Sequence, residues 1–289
     1  MIPRTTGMSL WESVHSGAEA AAAQAHLRTY WNAPTREDDT KSQIALVNRV
    51  IDGGYAGLVL APDQSLALIT PIRRGLSKGI PTVVIGSPLA VPPGGKLSYI
   101  LNDEDEAGRL AAMRIGELLH GRGSVAILGI NFDIIGVVDR VRSFEATLAA
   151  RFPNVSIVEK RTGSFNAPYE QQAAEEVLMA HPDLGAILAA TTDATRGSYS
   201  ALDETHRART VKLVGCDQDL LLPIATGEID SVIVEDTYDM GHKAIELLAA
   251  ERLGESTPAL IKISPRLVTK DNLSSPEIQR MLALDSRSN

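Results

Sequence analysis

Short apolar runs rich in β-branched residues alternate along the whole chain with stretches of helical period. The runs predict strands over 57–61, 82–86, 98–101, 125–129, 156–160, 186–189, 212–215 and 231–234. They are short and apolar at successive positions, as buried parallel strands are. Between them Ala107, Leu110, Ala111, Ile115, Leu118 and Leu119 recur at helical spacing, as do Met240, Ala244, Leu247 and Leu248, which predicts helices with one core-facing stripe. Gly53-Gly54 and Gly79 offer left-handed dihedrals at helix ends, and Pro81, Pro153 and Pro182 prevent continuation. Strands alternating with helices in this way form parallel sheets covered on both faces, the α/β class.

A weak internal echo adds a second layer of organisation. Tyr55-Ala-Gly-Leu-Val-Leu-Ala-Pro62 and Asp183-Leu-Gly-Ala-Ile-Leu-Ala-Ala190 each place a strand after a helix and end in a small-residue turn. At 289 residues the chain lies near the size at which one core gives way to two. Two similar lobes follow, with the carboxyl ends of both sheets facing a shared crevice, where open α/β sheets bind ligands.

Charge narrows the partners. The formal net charge of -8 disfavours long-range attraction to nucleic acid or to an anionic bilayer, and no apolar run is long enough to span a membrane. One cysteine, Cys216, rules out an intrachain disulfide and is read as small apolar filler. The opening Met1-Ile2-Pro3-Arg4 contains no secretion signal.

Catalytic signatures are missing. Gly121-Arg-Gly-Ser-Val-Ala126 matches a dinucleotide fingerprint by letters but precedes a strand, whereas phosphate cradling needs glycines between a strand and a helix. There is no Walker loop, nucleophile elbow or paired zinc histidine, and the six histidines have no ligand spacing. His181 reads as a helix end, and His15, His26 and His242 as solvated helix positions. No enzyme, metal or cofactor is expected.

What remains is a set of polar and aromatic residues at strand ends. Trp11 opens the first helix, Asp103 follows strand 98–101, Arg140 precedes the helix after Gly129, and Thr191, Asp217 and Glu235 each follow a strand. Carboxylates accept two hydroxyl hydrogen bonds and a guanidinium donates several, so Asp103, Asp217 and Arg140 suit vicinal diols, while an indole packs on the C–H face of a sugar ring. Strand-end Asp and Thr also serve as helix N-caps, the competing explanation for each taken alone.

Taken in order, Trp11-Glu-Ser-Val-His-Ser-Gly-Ala18, Pro34-Thr-Arg-Glu-Asp-Asp39, Gly57-Leu-Val-Leu-Ala-Pro62, Gly79-Ile-Pro-Thr-Val-Val84, Asn102-Asp-Glu-Asp-Glu-Ala-Gly108, Ala180-His-Pro-Asp183, Val214-Gly-Cys-Asp217 and Gly227-Glu-Ile-Asp230 resemble the periplasmic sugar-binding proteins of the ribose-binding type. The related effector domains of lactose-repressor-type regulators share the likeness. The resemblance implies two doubly wound lobes with mainly parallel sheets and a three-segment hinge, the type I periplasmic binding protein fold. The lobes would be 1–119 plus 237–264 and 120–236 plus 265–289, with the helix from Tyr238 to Leu253 returning to the first. The family's first strand normally begins before Ile2-Pro3, so part of it is expected to lie outside this sequence.

Carried over residue by residue, the resemblance places a stacking aromatic at Trp11, hydroxyl-binding aspartates at Asp103 and Asp217, the cleft arginine at Arg140, and a second aromatic at Phe165. Thr191 and Glu235 stand where ribose binders carry Asn and Gln, and Leu10 and Met8 replace an aromatic and an amide, which argues against ribose itself. Arg36 falls at a cleft edge. The function implied is that of a monomeric, periplasmic solute-binding component of an ABC importer. It would close around an uncharged sugar or polyol and deliver it to a membrane permease, with no nucleic acid partner and no membrane insertion. The alternatives are a regulator's effector-binding domain, for which no helix-turn-helix precedes Trp11, and a receptor for a furanosyl quorum signal.

Overall fold

A computed structural model describes residues 1–6 and 8–282. The elements in chain order are α1 (Ser9–Gln24), α2 (Thr40–Asp52), β1 (Leu58–Leu60), α3 (Ile69–Ser77), β2 (Thr82–Gly86), β3 (Leu97–Asn102), α4 (Glu104–Leu118), β4 (Arg122–Ile130), α5 (Ile135–Arg151) and β5 (Asn154–Thr162). There follow α6 (Ala167–Ala180), β6 (Ala186–Ala189), α7 (Thr192–Glu204), β7 (Lys212–Gly215), α8 (Leu221–Thr226), β8 (Ser231–Val234), α9 (Thr237–Leu253), β9 (Leu260–Ile263), β10 (Arg266–Thr269) and α10 (Pro276–Leu282).

Two sheets result. The first is parallel, in the order β1-β2-β3-β9, with Ile2 bridging Leu60 at its β1 edge. The second runs β10-β8-β7-β6-β4-β5 and is parallel except for the antiparallel β10–β8 pair. This is the mainly parallel α/β architecture expected. Neither β9 nor β10 was expected, and β4 begins earlier than the apolar run 125–129.

Alternating strand residues build the cores on opposite faces of each sheet. In the first sheet Val59, Val83 and Ile85 pack under Val14 and Ala18 of α1 and Met240 and Ala244 of α9. On the other face Leu58, Leu60 and Val84 meet Val47 and Ile51 of α2 and Ile72 of α3. In the second, Val125 and Ile127 face α4 and α5, while Ala126 and Leu128 face α6 and α7. Glycines allow the tightest helix contacts. A Cβ at Gly17 or Gly241 would collide with a carbonyl across the α1–α9 crossing, as one at Gly108 would with the Arg140 carbonyl across α4–α5.

Capping fixes several helix starts. Asp39 and Asn166 accept backbone N–H bonds from Ser42 and Tyr169 at 3.0 Å, and Asp236 from Asp239 at 2.9 Å. Left-handed Gly227 and Gly254 close α8 and α9. His181 caps the end of α6, whereas His26 lies beyond α1 with φ of 53° and is not on a helix.

Among the described residues the chain passes between the sheets three times. The first passage falls at Asp103 and not after residue 119, because Ala107, Ala111 and Ile115 of α4 are buried in the core of the second sheet. The others are at Glu235-Asp236, where β8 leads to α9, and at Ser264-Pro265 between β9 and β10.

The lobes also meet across the rim. Ser65 N–H donates to the Asp133 carbonyl at 3.0 Å, and Gln64 Nε2 to Asp133 Oδ1 at 3.2 Å. Helix α5 has no side-chain cap of its own at Ile134. Two serine hydroxyls of the first lobe supply it: Ser65 Oγ accepts from Ile135 N at 3.4 Å and Ser87 Oγ from Gly136 N at 3.0 Å.

Candidate functional site

The carboxyl ends of β2 and β3 in one sheet and of β6, β7 and β8 in the other converge on a cavity of about 140 Å³ between the lobes. Since one water needs roughly 10–15 Å³ on this measure, there is room for on the order of ten water-sized groups, the scale of a monosaccharide. Trp11, Leu10, Met8, Arg140, Phe165, Thr191, Asp217 and Glu235 all line it.

Asp103 does not. Its carboxylate caps α4, accepting from Glu106 N at 3.5 Å, and pairs with Lys262 Nζ at 2.9 Å outside the cavity. The competing explanation for a strand-end aspartate holds here, and its neighbours Asn102 and Glu104 reach the cavity instead. Arg36 is corrected in the same way. Its side chain is 74% exposed and pairs with Asp38, while the adjacent Glu37 turns inward.

Arg140 lies within α5, not ahead of it, and reaches the cavity floor. It is buried, donating from Nε to Glu104 at 2.6 Å, from Nη1 to the Ala190 carbonyl at 3.0 Å and from Nη2 to Glu235 at 3.3 Å. Those bonds use three of its five N–H donors. Burial pushes the Glu235 carboxyl up from its usual range, with the Arg140 charge opposing and Glu104 adding.

Asp217 is buried beside Arg196, whose Nε donates to it at 2.6 Å and whose Nη2 reaches Asp219 at 2.7 Å. Burial raises the Asp217 carboxyl despite that guanidinium. Ser9, at the start of α1, reaches across the cleft to Asp219. Thr191 accepts from Ala194 N at 3.3 Å, so it caps α7 while its residue also borders the cavity. Between them Cys216 is enclosed, its thiol pushed up to about 11 by burial, consistent with filler and not with a nucleophile.

The aromatics are placed differently from one another. Trp11 is only 3% exposed, donates from Nε1 to Glu37 at 3.2 Å, and carries the Arg4 guanidinium 5.8 Å from its ring centre, which leaves little of its face open. Phe165 is half-buried on the opposite wall. Its loop is held by the Glu170 carboxylate, which accepts the Ser164 N–H, and by the Asn166 cap.

Reading the sequence missed Arg4, Glu37, Glu104, Asp193 and Arg196 as lining residues. Asp193 in the first turn of α7 and Arg196 three residues on, just beyond a strand, carried a usable signal. Among the described residues no group of three His, Cys, Asp or Glu side chains could hold a metal, and no helix is long and apolar enough to cross a membrane.

Comparison with known proteins agrees with this fold. Residues 1–256 match the periplasmic binding protein domain family. A D-ribose/D-allose-binding protein of Pseudomonas aeruginosa is 28% identical over 191 residues, 63% of this chain and 57% of that protein, so the match spans little more than half of it. A D-apiose import binding protein of Paraburkholderia graminis is 24% identical over 82% of this chain and 76% of its own. Among solved structures, an ABC transporter solute-binding protein from Agrobacterium vitis bound to α-D-tagatopyranose superposes with a TM-score of 0.90 at 21% identity, covering 97% of both chains. A carbohydrate transporter solute-binding protein from Agrobacterium radiobacter in complex with D-arabinose does so at 0.90 and 23%, again over 97% of both.

Proposed function

Because this chain belongs to the periplasmic binding protein family, we propose that it is the solute-binding component of an ABC importer, closing its lobes around a small hydroxylated guest. The observation that carries this reading is the cavity bounded by both sheets and lined by charged side chains from both lobes. Bonds from the two walls to one guest favour the closed arrangement over the open one, which couples occupancy to shape.

In this reading Arg140 directs its remaining donors at ring oxygens, and Asp217, Thr191 and Glu235 accept hydroxyl protons. Phe165 covers a C–H face, Leu10 and Trp11 close the opposite wall, and the chain does not transform its guest. The protein works as a monomer in the periplasm and hands its cargo to a permease, and the closed form is the one recognised.

A thermal-shift screen with neutral and amino monosaccharides and polyols at millimolar concentration tests this. A ligand at 100 times its Kd stabilises by about 2.7 kcal/mol, which corresponds to a rise of roughly 5–10 °C. No shift across the panel, or turnover of any member, overturns the proposal.

A further inference from the structure

The cavity walls carry six carboxylates, those of Glu37, Glu104, Asp193, Asp217, Asp219 and Glu235, against the three guanidiniums of Arg4, Arg140 and Arg196, with no lysine or histidine. Two of the guanidiniums are already ion-paired. Arg140 is shared by Glu104 and Glu235, and Arg196 by Asp217 and Asp219. Arg4 donates to the Pro62 carbonyl and lies over Trp11.

Glu37 and Asp193 are left. They come from opposite lobes, one from the loop before α2 and the other from the first turn of α7. Among the described residues neither has a cation within ion-pairing distance, and the one hydrogen bond to Glu37 is from the Trp11 indole. The Asp193 carboxyl is pushed up to about 6 by burial and by the Glu37 charge, with Asp217 adding and Arg196 opposing. Two like charges from opposite lobes thus border one cavity, an arrangement that is costly unless something positive stands between them.

Resting on the transport reading above, we propose that the guest is a hydroxylated ring or polyol bearing a protonated amine, and that Glu37 and Asp193 hold its ammonium between the lobes. An ammonium brings three donors and no acceptor, which suits acceptor-only carboxylates. Its bonds to them are charge-assisted and about twice as strong as those of a neutral hydroxyl. A neutral sugar would occupy the same space and leave the excess charge uncompensated. An anion would add to it. The sequence pointed to an uncharged guest because nothing in its spacing placed Glu37 and Asp193 at one cavity.

Calorimetry at pH 7.5 on matched pairs tests the inference: glucose with glucosamine, galactose with galactosamine, mannose with mannosamine, sorbitol with its 1-amino-1-deoxy counterpart, and each hexosamine with its N-acetyl form. At least one amine should bind about tenfold or more tighter than its neutral partner, and acetylation should abolish the advantage. Asp193→Asn should reduce the amine-to-neutral ratio, and Glu37→Gln provides an independent second variant if the first is poorly folded. The advantage should also shrink as the pH falls from 7.5 to 5.5 and Asp193 protonates under the influence of Glu37, Asp217, Arg196 and Glu170. Neutral members binding as well as or better than their amines overturn this inference and leave the transport reading standing. Binding of no member of any pair overturns both.

Discussion

Replacing Arg140 with methionine removes the one cation from a buried cluster of two carboxylates. The side chains of Arg140, Glu104 and Glu235 are 8%, 10% and 16% exposed, and the contacts are 2.6 Å and 3.3 Å. With charge centres roughly 4 Å apart, each attraction is worth about 4 kcal/mol at an effective dielectric of 20. Sparing the guanidinium its desolvation offsets several kcal/mol of that, so the net loss on truncating one partner of a buried pair is about 3–5 kcal/mol. At roughly 2–4 °C per kcal/mol, the melting temperature should drop by about 10 °C.

The sign of the pH dependence follows from Glu235, whose folded-state carboxyl is already raised by burial. A group raised on folding favours the folded state at low pH and loses that contribution as pH rises through its folded value. Without Arg140 the Glu235 carboxyl rises further, so the variant should be hurt more at pH 8 than at pH 5. Adding Glu104→Gln and Glu235→Gln should restore part of the loss, because no uncompensated charge then remains. Chemical denaturation at the two pH values measures all of this. A loss below about 1 kcal/mol at pH 8, far short of that for a broken buried pair, or one independent of pH, refutes the account of the cluster.

Other outcomes follow from the packing. Ser87→Ala removes the acceptor that Gly136 uses at 3.0 Å. The closed form should lose about 0.5–2 kcal/mol, read as a larger radius of gyration by small-angle scattering; an unchanged radius argues against closure through this cap. Gly241→Ala forces a methyl into the Val14 carbonyl, so unfolding in urea should show a loss of about 3 kcal/mol, and a negligible change would mean that α1 and α9 do not cross so closely. Asp63 is 3% exposed, and burial raises its carboxyl against the Thr40 hydroxyl and the Arg4 charge. It therefore weighs against folding as pH rises, so Asp63→Asn should be more stable than the parent at pH 7. The difference should vanish below about pH 3.5. A destabilised variant at pH 7 would contradict this.

The strands were legible because a segment covered on both faces has to be apolar at every position, as in Leu58–Leu60 and Ala186–Ala189. Strands β9 and β10 escaped notice because they are partly exposed, include Lys262 and Arg266, and flank Pro265. The lobe to which α4 belongs was not legible either. An apolar stripe states that a helix is buried but not which sheet buries it. At the cavity, residues following strands were found because a strand fixes where its end points. The errors at Asp103 and Arg36 are each a single position, the step by which a turn redirects side chains and which spacing alone does not encode. Arg196 was missed because it lies a helical turn beyond its strand, on α7.

The serines that complete the start of α5 come from the other half of the molecule. Two backbone amides of that helix therefore trade partners, hydroxyl for water, each time the halves part, and the capped arrangement is favoured by about 0.5–2 kcal/mol. Such an exchange gives the resting protein a bias toward its compact shape that belongs to the chain and not to its cargo. Affinity measured at the cavity then contains a contribution from Ser65, 70 residues before its partner Ile135 and outside the cavity lining, and selection could retune uptake there without altering which molecule is recognised.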